Sequence, residues 1–167
     1  MKRILIVCKG NICRSPTAAV VLETKARAIG LNIEVDSAGV ENYHVGDAPD
    51  KRSIRHAAKR GYDLSKNRAR QIQEEDFEKF DFIWAADHEN ISHLRTLCPV
   101  IYYSKISLFL GNKPLPDPYY GEAKEFENVL NLIEQRVESL IKSTDWMNWR
   151  VAPGEATPLF KYSRCTK

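Results

Sequence analysis

Arg3-Ile4-Leu5-Ile6-Val7 is a continuous apolar run behind a basic start, the pattern of a strand buried on both faces of a parallel sheet. A helix is predicted over 16–29, with Ala18, Ala19, Leu22, Ala26 and Ile29 on one face and Gly30 as its stop. Ile33-Glu34-Val35-Asp36-Ser37 alternates and reads as a second strand, with Ser37-Ala38-Gly39 turning at its carboxyl end. Residues 40–50 are small and polar and read as a loop. A helix over 50–60 has a thin apolar face of Ile54, Ala57 and Ala58 and ends at Gly61. Residues 80–86 form a third buried strand, and Asp87 caps a helix over 88–97. Val100-Ile101-Tyr102-Tyr103 reads as a fourth strand, followed by a short helical segment over 106–110 and a loop over 111–121. The clearest helix spans 122–143, where Phe126, Val129, Leu130, Ile133, Val137, Leu140 and Ile141 recur at helical spacing and cover the sheet. Beyond it, Trp146, Met147, Trp149, Leu159, Phe160 and Tyr162 carry much apolar surface, while Pro153-Gly154 and Pro158 argue against one long helix. The expectation is that the tryptophans dock on the domain and the end stays mobile.

At 167 residues the chain is long enough for one domain with a sizeable core, and 43% hydrophobic with 28% charged residues is ordinary for a soluble protein. A net charge of +3 is too mild to argue for nucleic acid. Lysines and arginines cluster over 51–70 without interleaved aromatics, which reads as a solvated helix face of a sign that favours acidic phosphorylated partners. The cysteines Cys8, Cys13, Cys98 and Cys165 fit neither a zinc spacing nor a secreted disulfide framework. The apolar run after Lys2-Arg3 is too short for the core of a signal peptide, and no stretch is long enough to span a bilayer. A reducing cytoplasmic setting is therefore expected, with no membrane and no nucleic-acid partner.

The chemistry concentrates in Val7-Cys8-Lys9-Gly10-Asn11-Ile12-Cys13-Arg14-Ser15-Pro16. A short loop between a buried strand and a helix start can aim its N–H groups at one point, where the helix dipole adds positive charge and an oxyanion binds. Ser15 is expected as the helix N-cap and Pro16 at the first helical position. Gly10 permits a left-handed turn and Asn11 tolerates one. Arg14 can grip two anion oxygens with its planar fork. The same positive field favours the thiolate of Cys8, which can attack the phosphorus of a bound phosphoryl group. Asp117, held between Pro116 and Pro118, is a carboxyl group fit to protonate a leaving oxygen; its bland reading is a turn or capping aspartate.

Cys8-Lys9-Gly10-Asn11-Ile12-Cys13-Arg14-Ser15 resembles the signature of the low-molecular-weight protein tyrosine phosphatases, and Asp117-Pro118-Tyr119-Tyr120-Gly121 resembles their general-acid motif. The likeness runs over about 3–143 and implies a catalytic domain at 1–143, followed by an extension at 144–167 of unassigned role. It implies a three-layer α/β/α sandwich with a four-stranded parallel sheet and a phosphate-binding loop after the first strand. The activity it implies is hydrolysis of phosphotyrosine and small aryl phosphates through a phosphocysteine, with Cys8 as nucleophile, Arg14 and the loop amides of residues 9–15 binding phosphate, and Asp117 as general acid and base. Lys9, Gly10, Asn11, Ile12, Cys13, Arg14 and Ser15 would then line the phosphate site. Ser15 would donate to the Cys8 sulfur in the second step, serve only as helix cap, or do both. Ser37 would hydrogen-bond Asn11, or be an ordinary turn serine. Tyr43 stands where relatives often carry tryptophan and would form one cleft wall, unless it is a loop tyrosine without a role; Tyr119 would form the other. A slot of that depth admits phosphotyrosine and holds a short phosphoserine away from the thiolate. Asn67 replaces a histidine that in many relatives helps hold the loop asparagine, and Ala86 replaces a usual methionine. No metal and no cofactor is expected. Partners would be tyrosine-phosphorylated proteins and a cognate tyrosine kinase, for a monomer or weak dimer. By the same resemblance Cys8 and Cys13 are close enough to pair, shielding Cys8 from over-oxidation. Two other readings stay open: a thiol arsenate reductase on the same scaffold, disfavoured because Cys98 has no close companion for a relay, and a non-catalytic phosphate-binding module.

Overall fold

β1 (Lys2–Cys8) is flanked by β2 (Ile33–Gly39) on one side and β3 (Phe82–Ala85) on the other, and β4 (Ile106–Leu108) extends the sheet beyond β3. All neighbours run parallel, with Ile4 opposite Val35 and Phe82. The computed structural model describes residues 1–148. Because β1 is central, alternate residues feed opposite cores: Ile4, Ile6 and Cys8 on one face, Leu5 and Val7 on the other. β3 does the same with Phe82 and Trp84 against Ile83 and Ala85. That is why both strands read as unbroken apolar runs, whereas edge strand β2 alternates.

The first face is covered by α1 (Arg14–Ala28) and α5 (Ala123–Lys142), with Ala57 of α2 (Lys51–Ala58) at its margin. The second face is covered by Phe77 of α3 (Glu74–Lys79) and Leu94 of α4 (His88–Leu97). The result is the expected three-layer α/β/α sandwich with a four-stranded parallel sheet. The chain leaves β1 for β2 on one side and later reaches β3 on the other, so the strand order reverses at the carboxyl end of β1. Ligand crevices in open α/β sheets form at such a point.

Residues 100–103 are not the fourth strand: Val100–Lys105 is a 3₁₀ helix, and the edge strand is Ile106–Leu108, where a helical segment was expected. Val100 and Ile101 are 75% and 54% exposed, so their apolar character buries little. The Lys105 ammonium donates to the carbonyls of Phe77, Glu78 and Phe80 and pins this connector beneath the end of α3, which delays sheet entry to Ile106. Helix α3 was not expected; its signal was Gln73 three residues before Asp76, a reciprocal capping box, with Phe77 fully buried. β2 runs on through Gly39, where a turn was expected. Ile29 caps the end of α1 and is exposed, Ala58 is exposed, and His56 takes the inward place on α2, stacked on Phe126 at 5.9 Å. Of the terminal tryptophans, Trp146 lies edge-on to Phe82 and Trp84 at 5.5 and 5.6 Å, its indole donating to the Leu140 carbonyl. Trp149 and the rest of the extension lie outside the described residues.

Candidate active site

The loop after β1 is built by its carbonyls. Those of Cys8, Lys9 and Ile12 accept from the amides of Val40, Glu41 and Asp50 at 2.9, 3.0 and 2.8 Å. In a trans peptide the next N–H points the opposite way, so the amides of Lys9, Gly10 and Cys13 are turned away from those partners. Of the two residues able to take a left-handed turn, Asn11 does so at φ 57° and Gly10 does not. A Cβ at Gly10 would lie 3.0 Å from the His44 ring, so that side chain would have to give way. Gly39 lies closer still, since a Cβ on it would meet the Lys9 carbonyl at 2.8 Å and the Asn11 nitrogen at 3.1 Å. Strand β2 can run flush against the loop only without a side chain at that position.

Asn11 is held by every polar group of its side chain. Its amide donates to the hydroxyls of Ser15 and Ser37, each at 2.9 Å, and its carbonyl accepts from the Arg70 backbone at 3.0 Å. The Ser37 contact is the one the resemblance implied, whereas Asn67 is not among these partners. Arg70 is itself fixed by the carboxylates of Asp36 and Asp76. The Ser15 hydroxyl stands 3.0 Å from the Cys8 sulfur and 3.3 Å from the Ala38 carbonyl. Ser15 is not the helix cap, because α1 already begins at Arg14 and Pro16 lies in its first turn. The hydroxyl accepts from Asn11 and stands within donating distance of both the Cys8 sulfur and the Ala38 carbonyl.

Arg14 is buried, with 4% of its side chain exposed. Its Nη1 donates to Asp87 at 2.7 Å and to the Leu115 carbonyl at 3.1 Å, and its Nη2 donates to Asp117 at 3.3 Å. Burial works against its charge, but the Cys8 sulfur, Asp117 and Asp87 outweigh it and push its pKa up. Asp87 serves twice, since its other oxygen accepts from the Asn90 amide and caps α4. Cys13 is buried beside the cleft; burial, opposed by a hydrogen bond from Ser53, pushes its thiol up to about 12. Cys8, Cys13 and Cys98 are free thiols.

These groups meet in one cleft of about 280 Å³, lined by Cys8, Arg14, Asp117, Tyr43 and Tyr119 among others. Lys9, Gly10, Ile12 and Cys13 line it too, while Asn11, Ser15 and Ser37 stand behind it. His44 and Tyr120 also border the cleft and were not foreseen. His44 follows Tyr43 in an unpatterned loop, and only its position across from Gly10, with Asp47 at 3.1 Å, reveals it. Asp87, Gly39 and Arg70 were likewise invisible as site residues, because each acts through a contact distant in sequence. Among the described residues no helix is long and apolar enough to cross a membrane.

The family model for low molecular weight phosphotyrosine protein phosphatase matches residues 3–147. The low molecular weight protein-tyrosine-phosphatase YfkJ of Bacillus subtilis is 36% identical over 151 residues, covering 86% of this chain and 96% of its own. The YfkJ crystal structure matches with a TM-score of 0.81 at 35% identity, over 89% of this chain and 98% of that one. A protein tyrosine phosphatase of Entamoeba histolytica matches with a TM-score of 0.83 at 34% identity, over 89% of this chain and all 100% of that one. Vibrio vulnificus Wzb, solved with benzylphosphonate, matches with a TM-score of 0.77 at 28% identity, over 84% of this chain and 97% of that one. Fold, loop and near full-length relatives together show that the chain belongs to the low molecular weight phosphotyrosine protein phosphatase family.

Proposed function

We propose that this phosphatase hydrolyses phosphotyrosine in two steps through Cys8. In the first, the Cys8 sulfur attacks phosphorus, the sulfur–phosphorus bond forms, the bond to the tyrosyl oxygen breaks, and Asp117 hands that oxygen its proton. In the second, water attacks the phosphocysteine, its proton returns to Asp117, and the sulfur departs with the Ser15 hydroxyl hydrogen-bonded to it. Arg14 and the loop amides hold the equatorial oxygens throughout. With Nη1 committed to Asp87 and Leu115, the Nε and Nη2 edge of Arg14 is the fork for two of those oxygens.

One observation carries the reading: Cys8, Arg14 and Asp117 border one cleft, and Arg14 already touches the Asp117 carboxylate at 3.3 Å. Tyr43 and Tyr119 supply flat apolar walls for an aryl ring, in keeping with the benzylphosphonate held by the similar Wzb. The substrates are tyrosine-phosphorylated proteins, opposed by a cognate tyrosine kinase. The catalytic unit is 1–143 with 144–167 as its extension, and Trp146 packs back on the unit. An arsenate-reductase relay is not favoured by the position of Cys98, which ends α4 about 15 Å along the helix from Asp87 and donates to the Pro99 carbonyl.

The test is hydrolysis of an aryl phosphate by reduced protein with EDTA present. Native turnover is expected, Cys8→Ser should abolish it, and Asp117→Asn should lower kcat about 100-fold or more. A reduced native protein without turnover would overturn the mechanism.

A further inference from the structure

Arg52 lies outside the cleft lining, yet its guanidinium touches both halves of the site. Nε and Nη2 donate to the two carboxylate oxygens of Asp50 at 3.0 and 2.8 Å, a fork that fixes the plane of the group. Nη2 also donates to the Tyr119 carbonyl at 2.9 Å, and Nη1 to the Gly121 carbonyl at 3.2 Å. The flat face covers the Phe126 ring at 4.5 Å and the Tyr119 ring at 5.7 Å. Asp50 is in turn anchored to the phosphate loop, because its backbone amide donates to the Ile12 carbonyl at 2.8 Å. On the other side, the Tyr119 amide donates to one oxygen of Asp117 at 3.2 Å while the second oxygen faces Arg14. A chain of contacts thus runs from the loop through Asp50 and Arg52 to the carbonyl of Tyr119, and from that residue's amide on to the Asp117 carboxylate.

We propose that Arg52, locked by Asp50, is the positioning residue that sets the Asp117 loop against the phosphate loop, so that the acid stands in line with the leaving oxygen. The inference rests on the two-step reading above. Arg52 touches no reacting atom; it holds the carbonyl of Tyr119, the residue whose own amide orients the acid. Pro114, Pro116 and Pro118 stiffen the segment around Asp117, and at its outer end the Gly121 amide closes a turn on the Pro118 carbonyl. Lysine cannot replace Arg52, because one ammonium cannot span Asp50 and two carbonyls in a plane.

Acid positioning matters most when the leaving oxygen is basic, which separates it from a general structural role. The test compares kcat/KM, which reports the phosphorus–oxygen cleavage step, for phenyl phosphate and 2,4-dinitrophenyl phosphate. Arg52→Met is expected to lower kcat/KM about tenfold for phenyl phosphate and less than about twofold for the dinitrophenyl ester, whose leaving group needs no proton. Asp50→Asn, which keeps the helix cap and loosens the fork, should shift the ratio in the same direction by a smaller factor. Amide hydrogen exchange at Gly121 should quicken about tenfold in Arg52→Met, with the middle of α5 unchanged. An equal loss on both esters, or unchanged exchange at Gly121, would overturn the proposal. A native protein without turnover overturns the two-step reading and the acid-positioning role with it; a native protein that turns over beside a variant with an unchanged ratio overturns this inference alone.

Discussion

Asn11 and Gly39 show how little freedom single residues have at this site. Asn11 stands at φ 57° and gains three hydrogen bonds in return, two through its amide and one through its carbonyl. The backbone strain of a left-handed residue, roughly 1–2 kcal/mol, is offset by bonds that each contribute about 1 kcal/mol. Gly39 is constrained by backbone atoms alone, the Lys9 carbonyl and the Asn11 nitrogen, neither of which can swing aside as a side chain would. Gly39→Ala is therefore expected to displace the phosphate loop, lower kcat/KM at least about tenfold and destabilise the fold by about 1–3 kcal/mol. Urea unfolding and aryl phosphate kinetics check this together, and a variant with native kinetics would show that the loop can yield.

Elements owe their places to what they cover. α5 lays Val129, Leu130, Ile133, Val137 and Leu140 over one sheet face as the spacing predicted, while Phe126, expected to join them, packs instead with Ile12, Cys13 and Ala69. The short 3₁₀ helix after it, Thr144–Asn148, returns Trp146 to the rings of Phe82 and Trp84. Trp146 is half-buried, so Trp146→Ala should cost about 2 kcal/mol, less than the loss of a fully buried aromatic. It sits by β3 and away from the cleft lining, so kcat/KM should hold. A urea midpoint unchanged by this substitution would mean that the aromatic contact adds nothing to stability.

At the scale of the whole molecule, α2 and α5 are joined by a polar seam. Arg60 donates to Glu127 and, at 2.7 Å, to Glu134; His56 meets Glu127 at 2.5 Å; Tyr62 donates to Glu134 at 2.6 Å. The hydrogen bonds from His56 and Arg60 hold Glu127 below the ordinary 4.5. Glu134 is lowered too, its burial outweighed by the bonds from Tyr62 and Arg60. Folded carboxyl groups with depressed pKa values take up protons later than unfolded ones. Their stabilisation is therefore complete above the unfolded value and is lost as pH falls through the folded one. Arg60→Met should lower Tm near about pH 7, and the gap to the native protein should close toward about pH 3. A gap independent of pH would remove the seam from the account of acid stability.

The sequence alone determined what depends on local spacing. The unbroken apolar run of β1 marked a central strand, the periodicity of α5 marked a covering helix, and Cys8, Arg14 and Asp117 stood out by residue type and neighbours. Residues 100–103 misled because apolar content does not say whether a segment meets a sheet, and Val100 and Ile101 point to water. What only the tertiary structure decided are contacts between residues far apart in the chain. Of the roles open to Ser15 the structure keeps the contact with the Cys8 sulfur and drops the helix cap, Asp87 adds a bond to Arg14 to its place as cap, and Gly39 makes a close approach where a turn was expected. Spacing along a chain encodes which face of an element is buried; it does not encode which distant backbone or charge will lie against that face.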